Sequence, residues 1–96
     1  MATDTTRYDV AEHLRNDEEM QLYLEAAFEE ADGDAAFIAK AVGDVARARG
    51  MAQIAREAGV SRENLYRALS GERSPDLSTL LKVMRVLGLR LQPTPT

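Results

Sequence analysis

Ninety-six residues make one small domain, which buries somewhat over half of its unfolded surface and would gain from dimerisation. There is no cysteine, which excludes a disulfide framework and a thiolate zinc site, and the apolar runs are too short for a transmembrane helix. The net charge of −4 hides a division: residues 1–39 hold 11 acids and 2 bases, giving −9, whereas residues 40–96 hold 5 acids and 10 bases, giving +5. Two such ends are expected to meet different partners. The basic part suits phosphates and the acidic part suits a cationic surface. The plain alternative is that the acidic helix faces are only solvated. An apolar share of 45% with 29% charged residues fits a globular chain. The N-terminus, MATDTTRYD, carries no cationic-then-apolar leader, so a cytoplasmic protein is expected.

Residues 1–7 are polar and are expected to fray. Asp9 with Glu12 three residues on matches a capping box that opens a short helix through Leu14. Asn16 with Glu19 repeats the signal, and a helix is predicted from Asp17 to Ala31 with Met20, Tyr23, Leu24, Ala27, Phe28 and Ala31 as its apolar stripe. Asp32-Gly33 ends it, and Asp34 caps the next helix, predicted from Ala35 to Arg49. Phe37, Ile38, Ala41, Val42 and Val45 form the expected buried face there. Gly43 inside that helix costs up to ~1 kcal/mol relative to Ala. It either permits a close helix crossing or has no packing purpose. Gly50 is the expected C-cap.

Met51 to Gly71, MAQIAREAGVSRENLYRALSG, reads as helix, glycine turn, capped helix, stop. Ile54, Ala55 and Ala58 face one way, Gly59 suits a positive φ, Val60 plugs the turn and Ser61 is a strong N-cap. Leu65, Ala68 and Leu69 then point inward and leave Arg62, Glu63, Tyr66 and Arg67 outside. Two short helices joined by a glycine turn, the second with arginines on its open face, form the helix-turn-helix pattern. After a loop at Gly71 to Pro75, Asp76 caps a final helix to about Leu87, with Leu77, Leu80, Leu81, Met84 and Leu87 as its expected core face. Leu89-Arg90-Leu91 alternates as a short strand does. The expected fold class is all-α: a compact bundle of five to six helices, with an acidic N-terminal helical extension over residues 1–34 and a helix-turn-helix domain over residues 35–96, packed as one unit.

Catalysis finds little support. The only histidine, His13, lacks a second His, a Cys or the spacing of a zinc helix. Ser61 and Ser70 are accounted for at helix ends. Glu18-Glu19, Glu29-Glu30 and the Asp32/Asp34 pair lack the ligand order of a calcium loop. No glycine-rich phosphate loop occurs, and no cofactor or metal is expected.

A DNA-binding reading assigns roles to particular side chains. Recognition helices put their N-terminal residues into the major groove, which selects Ser61, Arg62, Glu63, Asn64, Tyr66 and Arg67. Arg62 or Arg67 suits a bidentate contact with guanine, worth ~1–3 kcal/mol of discrimination. Glu63 suits cytosine or holds an arginine, and Tyr66 suits a thymine methyl and a phosphate. Arg47, Arg49, Arg56 and Arg73 are phosphate candidates, which position rather than specify.

At these residues the chain resembles the Cro/repressor-type (XRE) helix-turn-helix family, whose fold is lambda-repressor-like. Ala55 and Gly59 match its small helix residue and turn glycine; Val60, Leu65 and Ala68 match its buried positions. Family members place a phosphate-contacting Gln at the start of a longer first helix, two residues further from the alanine than Gln53 stands here. From Tyr8 to Leu91 the chain is similar to a narrower group, the probable addiction-module antidote proteins, HigA-like antitoxins. The stretches that carry this are YDVAEHLRNDEEMQLYLEAAFEEADG, GDVARARGMAQIAREAGVSRENLYRALSGE and LLKVMRVLGLRL. The resemblance implies a partner toxin of the RelE/ParE superfamily, usually an mRNA-cleaving enzyme, and repression of the shared operon by an antitoxin dimer on double-stranded DNA. Such a toxin has a basic surface, and Tyr8, Val10, Glu12, Leu14, Asp17 and Glu18 are the candidate residues to meet it. Packing of Tyr8, Val10 and Leu14 onto Phe28 or Phe37 is the alternative. A free-standing repressor without a toxin, and an interaction module that has lost DNA binding, are the competing functions. The final helix and Leu89-Arg90-Leu91 are the candidate homodimer interface; capping of the chain's own core by Leu89 and Leu91 is the alternative. No membrane partner is expected.

Overall fold

The first helix among the described residues starts where a side chain replaces the missing backbone acceptors. In the computed structural model, which describes residues 14–72, 74–93 and 95, Asn16 is extended (φ −148°, ψ 170°) and its side chain accepts from the Glu19 amide at 2.8 Å. The Glu19 carboxylate reaches back to the Arg15 amide at 2.9 Å, one residue earlier than in a regular capping box. This opens α1 (Asp17–Ala31), which Asp32 ends in the left-handed region at φ 48°. Asp34 then accepts from the Ala36 and Phe37 amides at 3.1 and 3.3 Å and opens α2 (Ala35–Arg49). Gly50, at φ 112°, serves two helices: its N–H donates to Ala46 at 2.8 Å, and its carbonyl accepts from Ile54 at 3.0 Å. That shared residue lets α3 (Met51–Ala58) follow without a loop. α4 (Arg62–Ala68) and α5 (Leu77–Val86) complete five helices among the described residues, with no strand.

α2 carries the most buried residues. Ala39 and residues 41–46 are all buried, and α1 and α3 both pack against it. One core joins Met20 and Leu24 of α1, Val42 and Val45 of α2, Ile54 of α3, Leu65 of α4 and Val83 of α5. Leu65, Val42, Val45 and Val83 are the largest fully buried side chains, each worth roughly 1.5–3 kcal/mol relative to exposure. At Gly43 α2 crosses close to the end of α4. A Cβ there would lie 2.7 Å from the Leu69 carbonyl oxygen. Of the two readings of this glycine, the close crossing is the one observed.

Several expectations need correction. The core face of α5 is Leu80, Val83, Met84 and Leu87; Leu77 is 61% exposed and Leu81 42% exposed. Both leucine sets recur at helical spacing, and only the neighbours α3 and α4 select the phase. Phe37 is 41% exposed, because it sits in the first turn of α2 over a shallow hollow beside Tyr23 and Ala27. Leu89-Arg90-Leu91 is not a strand: it has no ladder partner among the described residues, and the Leu89 amide turns back to the Met84 carbonyl at 2.8 Å. Leu89 packs on the core, while Leu91 stays outside. The short helix expected from Asp9, with His13, lies outside the described residues except for Leu14, which is non-helical and buried in the core.

Candidate functional site

The pair α3 and α4 is held by local chemistry that its residues dictate. Gly59 at φ 75° lets the chain reverse after α3. The Val60 amide returns to the Ala55 carbonyl at 3.0 Å and the Gly59 amide to Arg56 at 3.3 Å, a Schellman closure. Val60 packs against the core, so the turn is anchored from inside. Ser61 is extended (φ −70°, ψ 152°) and its hydroxyl accepts from the Asn64 amide at 3.0 Å, which caps α4. Leu65 and Leu69 are buried and Ala68 half-buried, which fixes the rotation of α4 about its axis.

That rotation leaves Arg62, Glu63, Asn64, Tyr66 and Arg67 exposed on one short helix. The Arg62 guanidinium lies 5.8 Å from the centre of the Tyr66 ring, within cation–π range. Arg67 donates to the Asn64 side-chain oxygen at 3.3 Å. Both arginines therefore start from positions defined by weak contacts along their own helix. Gln53, on α3, is exposed and donates to Glu57 at 3.0 Å. Arg73 lies outside the described residues. Of the other cations considered, Arg56 is exposed, whereas Arg47 pairs with Asp44 and Arg49 with Asp17 at 2.9 Å.

Asp44 escaped the sequence reading. It is 6% exposed on α2, accepts the Tyr23 hydroxyl of α1 and pairs with Arg47. A buried carboxylate with two donors fixes α1 against α2 in a way apolar packing alone does not. Tyr23 lies on the predicted stripe, yet nothing in the periodicity announces an acid 21 residues away as its partner.

On the acidic side, Tyr8, Val10 and Glu12 lie outside the described residues. Leu14 is in the core, in keeping with the packing alternative. Asp17 bonds Arg49, and Glu18 is exposed. The Glu19 carboxyl is held below its ordinary value, chiefly by the hydrogen bond from the Arg15 amide. Among the described residues no three His, Cys, Asp or Glu side chains converge as metal ligands, and no helix is long and apolar enough to cross a membrane.

What fold and surface define is a small all-helical protein with an acidic helix at one side and an arginine-bearing short helix at another. The family model described as "Probable addiction module antidote protein" matches residues 4–95, and the chain belongs to that family. A protein of Haemophilus influenzae, described only as uncharacterized, is 53% identical over 85 residues, covering 88% of this chain and 86% of its own. No solved structure matches the chain. Membership implies the role of an antidote and, with it, a toxin partner.

Proposed function

We propose that this chain is the antitoxin of a type II toxin–antitoxin pair, which neutralises its toxin by direct binding and represses its own operon as a homodimer. Family membership supports the first part. The open face of α4 carries the second. Arg62, Glu63, Tyr66 and Arg67 stand exposed above Leu65 and Leu69, the arrangement by which a lambda-repressor-like helix-turn-helix presents its recognition helix. Arg62 and Arg67 are the specifying contacts, Ser61, Asn64 and Gln53 the supporting ones, and Arg73 is a phosphate contact. The exposed pair Leu77 and Leu81 supports α5 as the homodimer face. A two-fold dimer sets its recognition helices ~34–36 Å apart on a palindrome.

The partner is a small basic toxin of the RelE/ParE superfamily. The excess of acids before residue 40 attracts such a surface and speeds encounter, while the basic remainder faces DNA. In this reading residues 1–34 serve the toxin and residues 35–96 serve the operator. Co-expression with the product of the neighbouring toxin-like reading frame tests the proposal: growth is restored, and the two proteins co-purify. A toxic neighbour that stays fully active with the antidote in excess refutes it. Operator binding without any toxin partner would instead leave a free-standing repressor.

A further inference from the structure

A furrow runs between α1 and the segment that follows α5. Two neighbouring hollows of about 340 and 440 Å³ share Gln21, Leu24 and Leu89 in their walls. At 1.5 Å per residue, the α1 wall from Asp17 to Glu29 is ~18 Å long. The wider hollow has an apolar floor that includes Leu24, Phe28, Met84 and Leu89, with Leu91 at its lip, 44% exposed. Glu25 and Glu29 form its α1 rim. They continue into an exposed crest, Glu18, Leu22, Glu25 and Glu29, whose spacing of four, three and four residues places all of them on one helix face. Leu22 on that crest is 60% exposed. Among the described residues Arg90 is the one cation lining the wider hollow, on the wall opposite the glutamates; in the narrower one Arg49 is already bonded to Asp17. No residue of α3 or α4 lines either hollow.

We infer that this furrow is the groove in which the toxin docks an amphipathic segment bearing lysine or arginine. Its apolar side chains lie over Phe28 and Leu91, and its cations face Glu25, Glu29 and Glu18. The inference rests on the antidote reading and moves the contact beyond the N-terminal residues to the middle of α1 and the chain after α5. Charge selects the occupant. A second copy docked with the acidic crest on the two-fold axis sets that crest against its own image, which repels. A basic segment turns the same crest into an attraction that weakens with salt. The groove shares no residue with α4, so toxin and operator contacts fall on different side chains.

The test measures affinity by calorimetry between the full chain and the product of the neighbouring toxin-like reading frame. Two exposed-site variants are compared with the wild type: the double reversal Glu25→Arg with Glu29→Arg, and Leu91→Ser. Each is expected to lose affinity about tenfold or more, whereas Arg62→Ala with Arg67→Ala leaves toxin affinity unchanged. If the wild type binds and neutralises while both groove variants bind within about twofold of it, the groove is wrong and the antidote reading stands. If the wild type does not bind, the antidote reading fails and takes the groove with it. Should Leu91→Ser dissociate a homodimer in sedimentation while toxin affinity is kept, the groove belongs to a second copy and the inference is overturned. Melting temperatures confirm that each variant is folded, and if Leu91→Ser is not, the charge reversal decides alone.

Discussion

Replacing Gly43 by Ala sets two effects of known sign against each other. Inside an ordinary helix the change stabilises by up to about 1 kcal/mol, since glycine is the poorer helix former. Here the added Cβ meets the Leu69 carbonyl oxygen at 2.7 Å and the Leu69 Cβ at 3.1 Å. The oxygen is backbone at the cap of α4, whose amide is bonded to Leu65 at 3.0 Å, so it has no rotamer to escape into. α4 must shift away from α2, and overpacking of this kind costs about 1–3 kcal/mol. Against a backbone atom the cost falls at the upper end of that range and the clash wins, with a net loss of up to about 2 kcal/mol, which for a domain of this size lowers Tm by up to roughly 16 °C. Circular dichroism melts of Gly43→Ala and wild type read this directly. A variant as stable as the wild type, or more so, refutes the claim that α2 and α4 are in backbone contact here.

Three further perturbations have defined outcomes. Ser61→Ala removes the cap from the Asn64 amide and is expected to cost about 1 kcal/mol, a fall in Tm of ~4–8 °C, with Ser61→Thr nearly neutral. Asp44→Ala removes the acceptor shared by Tyr23 and Arg47; the expected loss is about 1.5–3 kcal/mol in denaturant unfolding, with m unchanged. The Glu19 carboxyl has a folded-state pKa lowered from its ordinary 4.5, so its contribution is present above that value and is lost as pH falls through the lowered one. Melts of wild type and Glu19→Gln should therefore differ at neutral pH and converge in acid; a difference that grows in acid contradicts the Arg15–Glu19 contact.

Local signals were legible and distant ones were not. Asn16, Asp34, Ser61 and Asp76 cap the helices that follow them, because capping is a contact across two or three residues. Gly50 and Gly59 mark ends because their positive φ suits few other residues. The phase of α4 was equally clear, since Leu65 and Leu69 leave only one face open. In α5 two leucine phases were equally periodic, and contact with α3 and α4 chose the one containing Val83. The pairs Tyr23–Asp44 and Asp17–Arg49 join residues 21 and 32 positions apart, beyond what any periodicity carries. The candidate site divides in the same way. The outward set on α4 follows from spacing, whereas the furrow beside α1 depends on where the chain after α5 returns, and alternation alone suggested a strand there.

The charge division makes the two halves of the proposed function separable. Toxin contact is assigned to glutamates on α1, and operator contact to arginines on α4. The DNA half is the more exposed to disproof, because the chain as a whole is acidic, with a net charge of −4. The decisive measurement is a fluorescence anisotropy titration of the DNA upstream of the gene, at several salt concentrations, with wild type and Arg62→Ala/Arg67→Ala. Wild type is expected to prefer this DNA to a scrambled duplex, with affinity falling as salt rises. The variant stays folded and loses about 1–3 kcal/mol for each arginine that reads a base. Equal binding by variant and wild type, or no preference for the upstream sequence, contradicts it.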